Sequence, residues 1–297
     1  MPDATTPAQG GARASVVIAA HNEEAVIART LDALVAQLAE QPAEVIVSAN
    51  GCTDDTAAIA ARAGVAVIDR PDPGKAGALN AAEELATGFP RIYLDADIVV
   101  PPGGLAAVVG RVAQDPPPLA VVPRRSLNTA GRPWLVRAYF AINERHPAFR
   151  TGLFGRGMIA VSRAGRARFD AFPAMVADDL FLDGQFADTE KAVAQDVVVV
   201  VETPFTTRDL MRRLVRVRRG SAQIRAAAAA GEVDATIRKP DRWGWLREVV
   251  AREPRLAFAA VPYLGLTVLA AVLARRPARP GNEWGRDEST RQPGGRA

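Results

Sequence analysis

The sequence predicts an α/β protein built on a mostly parallel sheet flanked by helices, with a separate apolar helical segment near the C-terminus. Three observations carry that prediction. Short β-branched-rich runs alternate with helical periodicity through the first two hundred residues, and the polar residues of the first half fall where those runs end. Beyond them, residues 256–274 form a stretch without a single charge.

Residues 15–20 read as the first strand. Asn22 then caps a helix, with Glu23 and Glu24 in its first turn and Ile27, Leu31, Leu34 and Leu38 at helical spacing. Residues 44–48 read as the second strand, 54–63 as a short helix stopped by Gly64, and 65–69 as the third strand. A loop with Pro71, Pro73 and Gly74 leads into a helix over about residues 75–87. The fourth strand, 91–94, ends on Asp95, and later strand candidates are 119–122, 158–161 and 197–201. Such alternation implies parallel pairing, with ligands bound at the carboxyl ends of the strands. His21-Asn22-Glu23, Asn50-Gly51, Asp69-Arg70 and Asp95-Ala96-Asp97 all fall there, so four consecutive units converge on one edge.

Composition narrows the class. With 297 residues, 48% hydrophobic and 24% charged, the chain suits one substantial globular core with an appendage. Cys52 is the single cysteine, so no intrachain disulfide forms, which fits a reducing compartment. No secretory signal is visible at the N-terminus. The net charge of +4 is unevenly spread: residues 205–255 hold 13 basic and 6 acidic side chains, and residues 275–297 hold 6 and 3. That basic segment contains no recognisable nucleic-acid-reading module, so no nucleic acid partner is expected.

Asp95-Ala96-Asp97 is the centre of the expected chemistry. Two carboxylates one residue apart at a strand exit supply hard oxygen ligands for Mn²⁺ or Mg²⁺. A solvated loop or a helix cap would use the same residues, so the tripeptide alone does not decide.

The surrounding motifs do. Residues 15–100 resemble the family 2 glycosyltransferases of the GT-A fold. The resemblance rests on Val17-Ile18-Ala19-Ala20-His21-Asn22-Glu23-Glu24, Val47-Ser48-Ala49-Asn50-Gly51-Cys52-Thr53-Asp54-Asp55-Thr56, Gly74-Lys75-Ala76-Gly77-Ala78-Leu79-Asn80 and Tyr93-Leu94-Asp95-Ala96-Asp97. It implies a Rossmann-like sheet, a nucleotide-sugar donor and a divalent metal. It also implies a donor site from Ala19, His21, Glu23, Asn50, Lys75 and Asp95, with Asp97 the direct metal ligand and Asp95 beside it. Two departures bear on the donor: Ala19 replaces the usual Pro, and Ala49 replaces a common acid, a loss that Asp54 or Asp55 could offset.

Inverting transfer needs a carboxylate to accept the acceptor hydroxyl's proton. Ala177-Asp178-Asp179-Leu180 resembles the family's acidic pair before a helix, which makes Asp179 the base with Asp178 beside it. A helix N-cap would use the same pair. Gly155-Arg156-Gly157 would line the acceptor side. Residues 213–220 resemble a degenerate Gln-x-x-Arg-Trp element, with Arg216 placed toward the diphosphate.

The uncharged run 256–274 is long enough to cross a bilayer. A single span, an interfacial segment broken near Pro262, or a helix buried against a partner all fit it. Trp243, Trp245, Arg242 and Arg247 upstream suit a headgroup region, and Arg275, Arg276 and Arg279 follow the run. The expected organisation is a flexible N-terminus at 1–12 and a catalytic domain at 13–225, with a donor half at 13–100 and an acceptor half at 101–225. A basic amphipathic linker at 226–255, a membrane-associated or transmembrane segment at 256–274 and a polar tail at 275–297 complete it. The catalytic domain is expected to be cytoplasmic, to fold without the apolar segment and to act on an acceptor that could be lipid-linked or part of the cell envelope. A nucleotidyltransferase would share the core, but would place a Gly-rich basic loop after the first strand, where this chain has Ala19-Ala20-His21-Asn22-Glu23. A catalytically degenerate binding protein would have no need of both Asp97 and Asp179.

Overall fold

A computed structural model describes residues 14–175, 177–239, 241 and 243–276. The expected N-terminal tail, Arg242, and the C-terminal tail from residue 277 onward, Arg279 included, lie outside the described residues.

The chain runs β1 (Ala14–Ala20), α1 (Ile27–Val35), β2 (Ala43–Asn50), α2 (Thr56–Arg62), β3 (Ala66–Arg70), α3 (Lys75–Leu85), β4 (Arg91–Leu94) and α4 (Gly104–Val112). It continues with β5 (Ala120–Asn128), α5 (Trp134–Asn143), α6 (Ala148–Thr151), β6 (Met158–Val161), α7 (Arg163–Arg166) and α8 (Asp178–Gly184). β7 (Lys191–Glu202), α9 (Thr207–Ala229) and α10 (Ala257–Ala274) complete it. Every position of β1 is buried, as a central strand covered on both faces requires. α1 turns Ile27, Leu31 and Leu34 inward. It begins later than Asn22, which does not cap it. Asn22 adopts φ 51°, and its side-chain oxygen accepts the Thr53 N–H at 2.8 Å, so it shapes the loop between two strand exits. Glu23 and Glu24 therefore precede the helix, and the Glu23 carbonyl accepts the N–H groups of Val26 and Ile27.

Seven strands form one sheet in the order β3-β2-β1-β4-β6-β5-β7. β3, β2, β1 and β4 are mutually parallel, and β5 is parallel to β7. β6 is the exception that leaves the sheet mostly parallel, as expected: it runs antiparallel to both β4 and β5. The reversal has a consequence for the site. Met158, the first residue of β6, pairs with Leu94, the last of β4, so the loop before β6 arrives at the edge where β4 ends.

One face of the sheet is covered by α1 and α4, around Ile18, Leu31, Leu34, Leu105 and Val108. The other is covered by α3, α8 and the far end of α9, around Leu79, Tyr93, Phe181 and Ile224. A third cluster gathers Val136, Tyr139, Phe140, Leu210, Trp245, Val249, Tyr263 and Leu266. It changes the picture of the C-terminal region. α9 crosses residue 225 without a break, and Val233, Trp245 and Val249 are buried. α10 packs against the enzyme body. Its Tyr263 stacks on Tyr139 of α5 at 5.1 Å, Leu266 and Ala270 are buried, and Arg219 of α9 bonds the carbonyls of Ala274 and Arg276 at its end. The opposite face of α10 is bare: Phe258 is 90% and Val261 75% exposed, with Val268 and Val272 about half exposed beside them. Among the described residues one helical stretch, Pro254–Ala274, is long and apolar enough to cross a membrane.

Candidate active site

The exits of four parallel strands are laced together by short polar contacts. Asn50 ends β2 with its side chain buried; its amide donates to the Ala20 carbonyl at 2.6 Å and accepts the Gly74 N–H at 2.9 Å. His21 Nδ1 lies 2.5 Å from the Asn50 carbonyl, and the Gly51 N–H donates to the Arg70 carbonyl at 2.7 Å. Asn50 thus spends its side chain on joining β1, β2 and the loop that begins α3. Ala19 is almost fully buried in β1, and Glu23 is 2% exposed, with its N–H bonded to Thr56 Oγ1 at 2.7 Å. Asp54 accepts the Thr56 N–H and the Glu24 N–H, so its carboxylate caps α2 and holds the neighbouring loop.

Lys75, the first residue of α3, sits between carboxylates. Its Nζ lies 2.8 Å from Asp95 Oδ1 and 2.9 Å from Asp178 Oδ2. Burial alone would disfavour its charge, but Asp178 and Asp95 outweigh that and hold its pKa well above the ordinary lysine range. One ammonium group therefore links the β4 exit, the α3 start and the α8 start.

Asp95 is fixed from the backbone: its N–H donates to the Gly157 carbonyl at 2.8 Å, and its own carbonyl accepts the Ile98 N–H. Gly157 has φ +70°, and a Cβ there would overlap Ile98 and stand 3.3 Å from Asp95 Oδ2. Only glycine fits this close approach. Asp97, the second acid, is half-buried one residue beyond Ala96.

Asp178 and Asp179 open α8 as its first helical residues; the cap position is Ala177, at φ 135°. That is a backbone conformation rarely adopted by a residue with a side chain, and it lies immediately before the acids. Asp179 Oδ2 accepts the Gly155 N–H at 3.1 Å and Oδ1 accepts the Leu180 N–H at 2.8 Å. Burial and then the adjacent Asp178 push its pKa up to about 6, against the pull of Lys75 and the Gly155 amide. Further along α8, buried Asp183 accepts the Leu153 N–H at 3.0 Å and pairs with Lys191 at 2.8 Å. The helix is thus tied to segment 153–155 at two points.

The structure therefore brings Lys75, Asp95, Asp178 and Asp179 together, with Asp97 on the adjoining turn. Arg216 lies half-buried midway along α9, between Leu210 in the third cluster and Ile224 in the cluster that holds α8. Two residues that position the acids were not singled out from the sequence for that role. Asn80 donates to the Phe172 carbonyl at 3.0 Å and accepts the Phe172 N–H at 2.8 Å, clamping α3 to the segment before α8. The Gly155 N–H fixes the Asp179 carboxylate. The first lay within a quoted motif; the second has no side chain to betray it.

Among the described residues no group of three or more His, Cys, Asp or Glu side chains stands ready to hold a metal. Asp95 and Asp97 nonetheless fit a hard cation that completes its shell with phosphate oxygens, since such ions take one or two carboxylates from the protein. Lys75 Nζ on Asp95 marks where positive charge is held at this edge.

A sequence profile described as glycosyl transferase family 2 matches residues 15–168, just over half of the chain. The protein belongs to that family. It is a glycosyltransferase. No curated protein matches the sequence. Among solved structures, a mannosyltransferase from Pyrobaculum calidifontis, in complex with GDP-Man and Mn²⁺, shares 23% identity over 91% of this chain and 77% of its own, with TM-score 0.60. Glucosyl-3-phosphoglycerate synthase from Mycobacterium tuberculosis shares 23% identity over 66% of this chain and 71% of its own, with TM-score 0.47. S. aureus TarS shares 16% over 64% and 58%, with TM-score 0.49. The likeness to the mannosyltransferase carries the shared fold well beyond the residues that the family profile matches.

Proposed function

We propose that this glycosyltransferase moves a sugar from a nucleotide-diphosphate sugar to an acceptor hydroxyl with inversion, assisted by Mn²⁺ or Mg²⁺. The observation that carries the reading is the convergence of Lys75, Asp95, Asp178 and Asp179 at one sheet edge. The similarly folded mannosyltransferase, with its GDP-Man and Mn²⁺, supports a metal-assisted donor site. Asp97 and Asp95 would hold the cation, whose charge would then neutralise the departing diphosphate.

The chain's own groups do the rest. The nucleoside belongs at the β1 exit, against Ala19, His21 and Glu23, with Asn50 holding the wall of that pocket. Lys75 holds positive charge beside the donor phosphates, and Arg216 adds a second cation for the diphosphate. Asp179 takes the proton of the acceptor hydroxyl as that oxygen attacks the anomeric carbon opposite the leaving group. The new C–O bond forms as the bond to the diphosphate breaks, so the configuration inverts. A pKa of about 6 leaves Asp179 mostly ionised at neutral pH while making it more basic than an ordinary carboxylate.

The bare face of α10 belongs in a lipid surface while its other face stays on α5 and α9, which favours an interfacial helix over a lone span. On this reading the catalytic body is cytoplasmic, lies against the membrane and meets a lipid-linked or cell-envelope acceptor there.

The decisive variant is Asp179→Asn. Calorimetry should show nucleotide binding retained, while transfer falls by about 10²- to 10⁴-fold because an amide cannot take the proton. NMR of the wild-type product should show the anomeric configuration inverted. Loss of nucleotide binding together with a lowered Tm would make Asp179 a structural helix-start residue instead.

A further inference from the structure

Beside the Gly155 segment that holds Asp179 lies a cleft with an excess of positive charge. Its lining includes Arg124, Arg125, Arg150, Arg156, Glu144 and Phe149, drawn from β5, the end of α5, α6 and the loop before β6. Two of these guanidinium groups are sunk into the protein without a directly paired carboxylate. Arg156 is 5% exposed and donates to the carbonyls of Gly152, Pro123 and Phe149. Arg125 lies over the Phe149 ring at 3.4 Å and donates to the Gly155 carbonyl and to Asn143. Among the described residues neither forms an ion pair. The one acid in the lining, Glu144, lies 3.8 Å from Arg145, and Arg150 is already matched by Glu248 at 2.6 Å.

A buried charge without a counter-charge is costly, and a second like charge nearby adds to the cost. Arg125 shows it: burial, then Arg156 and Arg213, push its pKa down to about 9, an effect that the charge of Glu144 offsets only in part. Stapling loops needs no such cluster, because neutral donors would satisfy the same carbonyls. An anion entering the cleft would offset both burial and mutual repulsion, and guanidinium groups suit the oxygens of a phosphate.

The cleft also stands close to the chemistry. Arg125 donates to the Gly155 carbonyl, and the Gly155 N–H holds Asp179, so a single residue, Gly155, links the two. We infer that the cleft formed by Arg124, Arg125 and Arg156 is a binding site for a phosphate group, carried by the acceptor and held next to the residue that receives its proton. The acceptor assignment rests on the function proposed above; the phosphate site does not. The phosphate could be that of a soluble phosphomonoester or of a lipid headgroup reached from the bare face of α10, whose Tyr263 stacks on Tyr139 of the helix that ends at Asn143.

The test uses full-length protein, inorganic phosphate as the probe, calorimetry in metal-free buffer, and chloride at matched ionic strength as the control. Saturable phosphate binding is expected. Arg124→Gln removes an exposed lining residue and should weaken it by about fivefold to tenfold, the effect of losing one charge-assisted hydrogen bond. Arg125→Lys, which keeps the charge but loses the fork, should also weaken it, and its Tm shows whether the fold survived. Lys75→Gln, which removes the cation of the donor side, should leave phosphate binding intact. Binding lost in Lys75→Gln but kept in Arg124→Gln would put the phosphate in the donor site and overturn the inference, as would absence of saturable binding to the wild type. Failure of sugar transfer with intact phosphate binding would instead count against the proposed function alone. Vesicles of phosphatidylcholine with and without phosphatidic acid separate the sources. Phosphate-competed binding to the acidic vesicles indicates a headgroup, and phosphate binding without such competition indicates a soluble ester; either supports the site.

Discussion

The two sides of the sheet bring functional groups to the same edge by different means. On the β3-β2-β1-β4 side, each parallel strand delivers its own polar residues, and contacts such as Asn50 to Ala20 and Gly74 lace neighbouring exits together. On the β6-β5-β7 side nothing arrives so directly. The acids Asp178 and Asp179 come from a helix start, held in place by Lys75 from α3 and by the Gly155 amide at the head of a reversed strand. The first side is a scaffold with its chemistry built in. The second is an assembly of loops whose geometry depends on long-range bonds, and it should be the easier side to disturb.

That contrast is open to measurement. The largest effect is expected at Asp97. Asp97→Ala should lower transfer by on the order of 10³-fold, the scale of removing charge stabilisation from a leaving group, with Tm nearly unchanged because the side chain is only half-buried. A steady-state assay at saturating donor and Mn²⁺ checks it, and near-normal turnover would break the metal assignment.

Lys75→Gln sharpens the comparison, since Lys75 spans both sides. On the proposed mechanism Asp179 acts in its ionised form, so activity should fall as pH drops through about 6 in the wild type. Removing the Lys75 charge takes away a group that lowers the Asp179 pKa, so this acidic limb should move to higher pH. A pH–rate profile of kcat/KM reads the shift; an unmoved limb would separate Lys75 from the base.

In the C-terminal region, Tyr263→Ala should destabilise the fold by about 3 kcal/mol, as large-to-small changes at packed aromatic sites do. Denaturant unfolding in detergent would show it, and an unchanged midpoint would restore the picture of a detachable segment. Arg219→Gln should cost less, about 1 kcal/mol for hydrogen bonds to carbonyls at the α10 end, and would be seen as a small drop in Tm.

Legibility in the sequence follows the same division. β4, β6 and the start of α3 lie where the local pattern put them, because each is a short apolar run or a helix bounded by Pro and Gly. The convergence of His21, Asn50 and Asp95 follows from parallel strands alone. Asn22 misled because a strand-exit Asn serves equally as a cap or in the left-handed conformation, and the Thr53 N–H settled it. The reversal of β6 left no local trace, since a four-residue apolar strand reads the same in either direction. The Arg125–Gly155–Asp179 link was equally hidden: it depends on a backbone amide and on Arg–carbonyl bonds between residues far apart in sequence.

Whether the carboxylates at this edge serve a metal-assisted transfer from a nucleotide sugar is tested most directly by incubating the purified full-length enzyme with a panel of nucleotide sugars, following nucleoside diphosphate release with Mn²⁺, with Mg²⁺ and with a chelator. Release from at least one donor is expected to depend on added metal and to disappear with the chelator. Undiminished release in the chelator would contradict a metal-assisted transfer.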